Sequence, residues 1–192
     1  MFVVLFAISG CAATGGPLTS EIEFDGPDGN DLWKLEPGTE KAKLEDANGQ
    51  ELAQYRYKGN VIAVDTADGR SFDVVSTSGK NDSIAIHASG GGEMRYRLSA
   101  EPDGDYRLED ASERTLYKLK RREYGFKVEP SAGGAAVKVK RDDDKIKLKV
   151  DGGDTILSTK DTSSTLAAAC LALDSLPIEV RAALAVGALY WP

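Results

Sequence analysis

Leu166-Ala167-Ala168-Ala169-Cys170-Leu171-Ala172-Leu173 breaks at Asp174-Ser175-Leu176-Pro177 and resumes as Ala182-Ala183-Leu184-Ala185-Val186-Gly187-Ala188-Leu189-Tyr190-Trp191. Within the first segment Leu166, Ala169, Cys170 and Leu173 share one helical face while Ala167 and Leu171 occupy the others, so no side is polar. A helix that is apolar all round has to be enclosed. Lipid is one enclosure, as a membrane-inserted hairpin, but eight apolar residues fall short of the roughly 20 that span a bilayer. Asp174, Pro177, Glu179 and Arg181 also interrupt any longer run. Protein is the other enclosure, and it is the one expected. Burying Leu166, Leu171, Leu173, Val180, Leu184, Val186 and Leu189 would contribute on the order of 10–20 kcal/mol, an upper bound because the unfolded chain is partly collapsed.

What precedes that stretch alternates with the period of β-strands. Short runs such as Lys41-Glu45, Glu51-Tyr57, Val61-Asp65, Thr115-Lys120 and Lys145-Val150 are separated by Asn48-Gly49, Gly59-Asn60 and Asp68-Gly69. Those dipeptides favour tight hairpin turns, because Gly and Asn tolerate the positive backbone angles that match strand twist. The pattern predicts about 14 short strands. A sheet that wide has to curl or close. The expected fold is therefore mainly β: a closed or nearly closed antiparallel barrel of about 12–14 strands, a hydrophobic C-terminal helix through its centre, and a second short C-terminal helix. That second helix, capped by Ser175 or Leu176 with Pro177 in its first turn, is expected to lie across a barrel end. Tyr190-Trp191 would seal that end or touch a bilayer.

The chain also repeats itself. Leu44-Glu45-Asp46-Ala47 recurs as Leu108-Glu109-Asp110-Ala111, and at the same offset Leu52 meets Leu116, Val64 meets Val128 and Gly69 meets Gly133. Ile84, Ile86, Gly90 and Gly91 correspond similarly to Ile146, Leu148, Gly152 and Gly153. This points to two similar halves of one sheet. Short strands of this form followed by Leu166–Asp174 resemble the tubby C-terminal, LURP-one-related and scramblase superfamily. The resemblance implies a closed barrel of about a dozen strands around a central helix. An eleven-residue helix rises about 16 Å, comparable with the height of tilted six-residue strands. It covers roughly Asp31 to Asp174 through pattern and order, and so speaks to fold rather than function.

Phe2–Ile8 is a short apolar run without charge, followed by Ile8-Ser9-Gly10-Cys11 and the small residues Ala12-Ala13-Thr14-Gly15-Gly16-Pro17. This resembles the signal peptide and lipobox of bacterial lipoproteins, in which small residues precede a cysteine that becomes the lipidated N-terminus. The Lys or Arg that usually comes first is missing from Met1-Phe2-Val3, and a frayed or core-packed N-terminus is the alternative. Chain length and strand spacing give one domain, over 21–192; the resemblance implies a signal peptide over 1–10 and a lipidated (palmitate-bearing) linker over 11–20 starting at Cys11. It places the protein on the cell envelope, at the outer membrane if the source is diderm, with the membrane as partner through the lipid. Cys170 is then the one remaining thiol and behaves as a small buried hydrophobe.

Net charge is −7 and the pI near 4.9, which disfavours general binding to nucleic acid or to an anionic bilayer by the molecule as a whole. The charge is unevenly spread, since residues 111–150 hold twelve Lys/Arg against six acids. No cofactor or metal is implied and no catalytic residue stands out. His87 has no second His for a triad or zinc site, Asp25–Asp31 and Asp142-Asp143-Asp144 lack EF-hand spacing, and Ser89-Gly90-Gly91-Gly92 lacks the Lys-Ser/Thr of a phosphate loop. The expected class is a non-enzymatic binding or structural module, with a hydrolase the remote alternative.

The candidate site is Lys138, Lys140, Lys145, Lys147 and Lys149, which alternate with apolar residues and project from one face of a hairpin. Like charges gathered there would favour an anion, such as the acidic lipid headgroups that tubby-like domains bind on basic barrel surfaces. This gives the second reading, an anionic-lipid binding or lipid-handling protein. The competing account is a solvated face whose lysines prevent edge-to-edge strand pairing.

Overall fold

A computed structural model of the chain describes residues 21–36, 38–77, 82–160 and 164–190. The expected signal peptide, Cys11 and linker lie outside the described residues, as does Trp191. Fourteen strands run in order: β1 (Ile22–Asp25), β2 (Asp31–Glu36), β3 (Lys41–Asp46), β4 (Glu51–Lys58), β5 (Val61–Thr66), β6 (Ser71–Thr77), β7 (Ser83–Ala88), β8 (Met94–Ala100), β9 (Tyr106–Asp110), β10 (Thr115–Arg122), β11 (Gly125–Pro130), β12 (Val137–Arg141), β13 (Ile146–Val150) and β14 (Thr155–Thr159). Each pairs antiparallel with its sequence neighbours, and β1 pairs with β14 to close the barrel. The closing seam is thin, with Asp25 opposite Ser158 in register.

Because the strands alternate in direction, their connections gather at two ends. The proximal end holds the start of β1 and the β4–β5, β10–β11 and β12–β13 turns. The distal end holds the β1–β2, β3–β4, β5–β6 and β9–β10 turns. Along each strand alternate residues point inward: Ala42 and Leu44, Ile62 and Val64, Tyr117 and Leu119, Phe126 and Val128, and Ile146 and Leu148 are all buried.

Two helices fill the lumen. Helix α1 (Thr165–Leu171) runs from the proximal end toward the distal end and packs on β11, β12 and β13. Ser164 caps it, accepting from the Ala167 N–H at 3.2 Å. Helix α2 (Ile178–Tyr190) returns antiparallel to α1 and packs on β4–β7.

The expectation of an all-apolar helix inside the barrel holds. The placement of the second helix across a barrel end does not. Val180 and every residue from Ala182 to Ala188 are buried, so α2 is enclosed as fully as α1. At 13 residues against 7 it is also the longer element. Small side chains make this possible, since Ala182, Ala183, Ala185, Gly187 and Ala188 keep α2 narrow enough to share the lumen. A Cβ on Gly187 would stand 2.9 Å from Ile84 Cγ2 on the wall. The two helices leave a gap of about 20 Å³ against Ile22, Phe24 and Leu35.

The distal crossover is fastened by tyrosines. The Tyr117 hydroxyl donates to Asp174 Oδ1 at 2.6 Å and accepts from the Ser175 N–H at 2.9 Å. The Tyr55 hydroxyl donates to the Glu179 carbonyl at 3.2 Å. Neither Ser175 nor Leu176 caps α2; Pro177 stands one residue ahead of it, its carbonyl accepting from Val180 and Arg181. Arg181 in turn donates to the Leu171 carbonyl at 3.0 Å, occupying an acceptor that the end of α1 leaves open. At the proximal end Tyr190 stacks on Tyr57 with ring centroids 4.9 Å apart.

The repeat has a structural counterpart. The offset that carries Leu44 onto Leu108 carries β4 onto β10 and β5 onto β11 with the same boundaries. It also carries one turn onto another. Asp46 Oδ1 accepts from Asn48 and Gln50 N–H at 2.9 Å each, and Asp110 Oδ1 accepts from Ser112 and Arg114 N–H at 2.9 and 3.1 Å. Gly49 takes φ 75° in the first turn, and Glu113 takes φ 59° in the second.

Candidate functional site

The five candidate lysines do not act as one row. Lys138 stands opposite Lys149 and Lys140 opposite Lys147 on β12 and β13, while Lys145 lies in the turn between them. The first pair extends further than the hairpin. Lys127 on β11 is opposite Lys138, and Lys120 on β10 is opposite Lys127. Lys120, Lys127, Lys138 and Lys149 thus stand side by side on four consecutive strands. Strands spaced about 4.8 Å apart put the ends of that row roughly 14 Å from each other.

The outward direction follows from the wall's alternation, since Leu119, Val128, Val139 and Leu148 beside these lysines are buried. The row is oblique. Lys120 lies two residues from the proximal end of β10, and Lys149 one residue from the distal end of β13.

Two carboxylates are threaded through the row. Glu129 meets Lys120 at 2.6 Å and Lys127 at 3.0 Å; Asp151 meets Lys127 at 3.6 Å and Lys138 at 2.6 Å. The lysine ammonium groups hold both carboxyls below their ordinary range, Lys120 acting most on Glu129 and Lys138 most on Asp151. Glu129 in return raises Lys127. Lys147 pairs with Asp142 at 2.7 Å and lowers it. Lys140 lies 5.4 Å from the Tyr124 ring centroid. Among the described residues Lys118, Lys145 and Lys149 have no carboxylate in ion-pair range. The flank is therefore cationic even after its internal pairs are counted.

Lys120 and Lys127 were not singled out from sequence, although a signal was present. The tight Glu123-Tyr124 turn sets Arg122 opposite Gly125, and counting back from it makes Lys120 and Lys127 partners.

The other candidates settle into turns and core. His87 Nδ1 is 3.0 Å from the Gly92 carbonyl oxygen. The Ser89–Gly92 stretch is the β7–β8 turn, held by Asp73 Oδ2, which accepts from the Gly90 and Gly91 N–H groups at 2.7 and 3.1 Å. Asp28 organises the β1–β2 turn by accepting from Asn30. Cys170 is fully buried, and burial pushes its thiol up to about 12. Among the described residues no cluster of three or more His, Cys, Asp or Glu side chains could hold a metal ion, and no helix is long and apolar enough to cross a membrane. No protein family, curated protein or solved structure matches the chain.

Proposed function

We propose that this chain is a lipid-anchored, non-enzymatic binding module of the cell envelope, tethered through Cys11, which takes an anionic ligand on the outer face of β10–β13. The observation that carries the reading is the lysine row on a barrel without edges. Lysines on an exposed sheet edge block strand addition. Here β10–β13 each have a neighbour on both sides, so edge protection gives no reason to set four like charges opposite one another, an arrangement whose cost to stability Glu129 and Asp151 offset only in part. A ligand that neutralises the row would recover that cost.

Two further features support the reading. The lipobox-like Ile8-Ser9-Gly10-Cys11 lies a short linker ahead of β1, whose start is at the proximal end, so a lipid on Cys11 would turn that end toward the bilayer. The tubby-like resemblance adds the precedent of basic barrel surfaces that bind anions. Helices already fill the lumen, which favours contact from outside over holding a whole lipid within.

Phosphocellulose chromatography tests the reading. Despite a net charge of −7, the full chain carrying Cys11→Ser is expected to be retained at low salt. The variant with Lys138, Lys140, Lys145, Lys147 and Lys149 changed to Gln is expected to flow through. Flow-through of the parent refutes the anion site. Metabolic labelling with palmitate tests the anchor separately, since the label should disappear in Cys11→Ser.

A further inference from the structure

We infer that the ligand of this flank is a linear polyanion, a polymer bearing phosphate or carboxylate on successive units, laid along Lys120, Lys127, Lys138 and Lys149. This rests on the anion-binding reading above and names the ligand class for it. The direction of the row carries the argument. A bilayer facing the proximal end would meet the row only at Lys120, because the row climbs toward the distal end as it passes from β10 to β13. A bilayer against the barrel's side would meet a convex wall, from which the outer members of the row fall away. A flexible chain of charges can follow both the climb and the curvature.

The spacing agrees, since neighbouring strands offer one ammonium group about every 4.8 Å along a single line. Glu129 and Asp151 fit the same scheme. Each bridges two adjacent lysines and so occupies the position that a polymer charge would take between them. In the free protein they hold the row in register; in the complex the polymer's charges take over that role. Lys118 on the neighbouring row and Lys149 at the end of the ladder, both without carboxylate partners among the described residues, extend the track at its two margins.

The experiment uses the full chain carrying Cys11→Ser and four probes: long-chain inorganic polyphosphate, tripolyphosphate, poly-L-glutamate, and vesicles of phosphatidylglycerol in phosphatidylcholine. Polyphosphate is expected to bind at least tenfold more tightly than tripolyphosphate. Changing Lys120, Lys127, Lys138 and Lys149 to Gln is expected to weaken it at least tenfold and to flatten the slope of log K against log salt by about 3. The pair Glu129→Gln and Asp151→Asn is expected to tighten it several-fold, a gain that loss of folding cannot mimic. Poly-L-glutamate separates carboxylate from phosphate polymers within the same class. Vesicle binding that needs the four lysines, without polymer binding, overturns the polymer and leaves the anion site standing. Polymer binding unchanged by the four substitutions overturns the site. Binding of none of the probes overturns both.

Discussion

Gly187 offers a direct test of the claim that α2 lies inside the barrel against β6 and β7. A methyl group added there would stand 2.9 Å from Ile84 Cγ2 and 3.5 Å from both Ile84 Cδ1 and Val74 Cγ1. Carbon atoms in good contact are roughly 3.5–4.0 Å apart, so about 0.6 Å must be found. Ile84 cannot supply it by rotating, because a β-branched side chain has little freedom at χ1. Overpacking of this kind costs about 1–3 kcal/mol, and the better helix propensity of Ala returns about 1 kcal/mol. Gly187→Ala alone should therefore destabilise by up to about 2 kcal/mol. Ile84→Ala should cost about 2–4 kcal/mol by opening a cavity, but it also removes the obstructing methyls. In that background Gly187→Ala should stabilise by about 1 kcal/mol. Urea unfolding of the four proteins in the cycle gives the coupling, expected at about 1–3 kcal/mol. Additivity within about 0.5 kcal/mol would refute the packing of α2 on this wall.

Glu113→Gly should raise stability by about 0.5–1 kcal/mol, because a left-handed backbone costs a residue with Cβ about 1–2 kcal/mol and the flexibility of Gly in the unfolded chain takes back part of it. A thermal midpoint at or below the parent's would contradict the equivalence of this turn with the one at Gly49. In the Cys11→Ser protein, Cys170 should resist iodoacetamide until denaturant unfolds the chain, since the thiol is enclosed and held protonated up to about pH 12; alkylation at the rate of a free thiol in native buffer would show that α1 is accessible. Glu129, Asp142 and Asp151 have folded pKa values below their unfolded ones, so their contribution is present above the ordinary carboxylate range and lost as pH falls through the depressed values. Thermal midpoints should hold level from neutral pH and drop below about pH 4. The drop should be shallower in the Glu129→Gln, Asp151→Asn protein.

The parts of this fold that could be read in advance are those decided by neighbours in sequence. Asn48-Gly49 and Asp68-Gly69 fix hairpins locally, and an octapeptide without a polar side reveals its need for cover whatever surrounds it. The position of α2 is a different kind of fact. Glu179 and Arg181 at its start suggest a helix with a wet side, yet Glu179 pairs with Arg70 at 3.4 Å and Arg181 reaches the Leu171 carbonyl. Both are engaged at the distal rim, and the run from Ala182 to Ala188 that follows is buried. Whether a second helix fits inside depends on the bore of the barrel, which strand number sets. It depends equally on side-chain size along α2, where Ala and Gly flank Leu184 and Val186.

The lysine row was half legible for the same reason. Lys138–Lys149 share one hairpin, whereas Lys127 joins them only through the register across residues 131–136, which no local pattern dictates. Strands β10–β13 would be interior even on a sheet opened at the β1–β14 seam, so guarding an edge does not account for these lysines. Glu129 and Asp151 offset the repulsion among Lys120, Lys127 and Lys138, and Lys149 at the end of the row has no carboxylate in ion-pair range among the described residues, so two acids stand against four lysines.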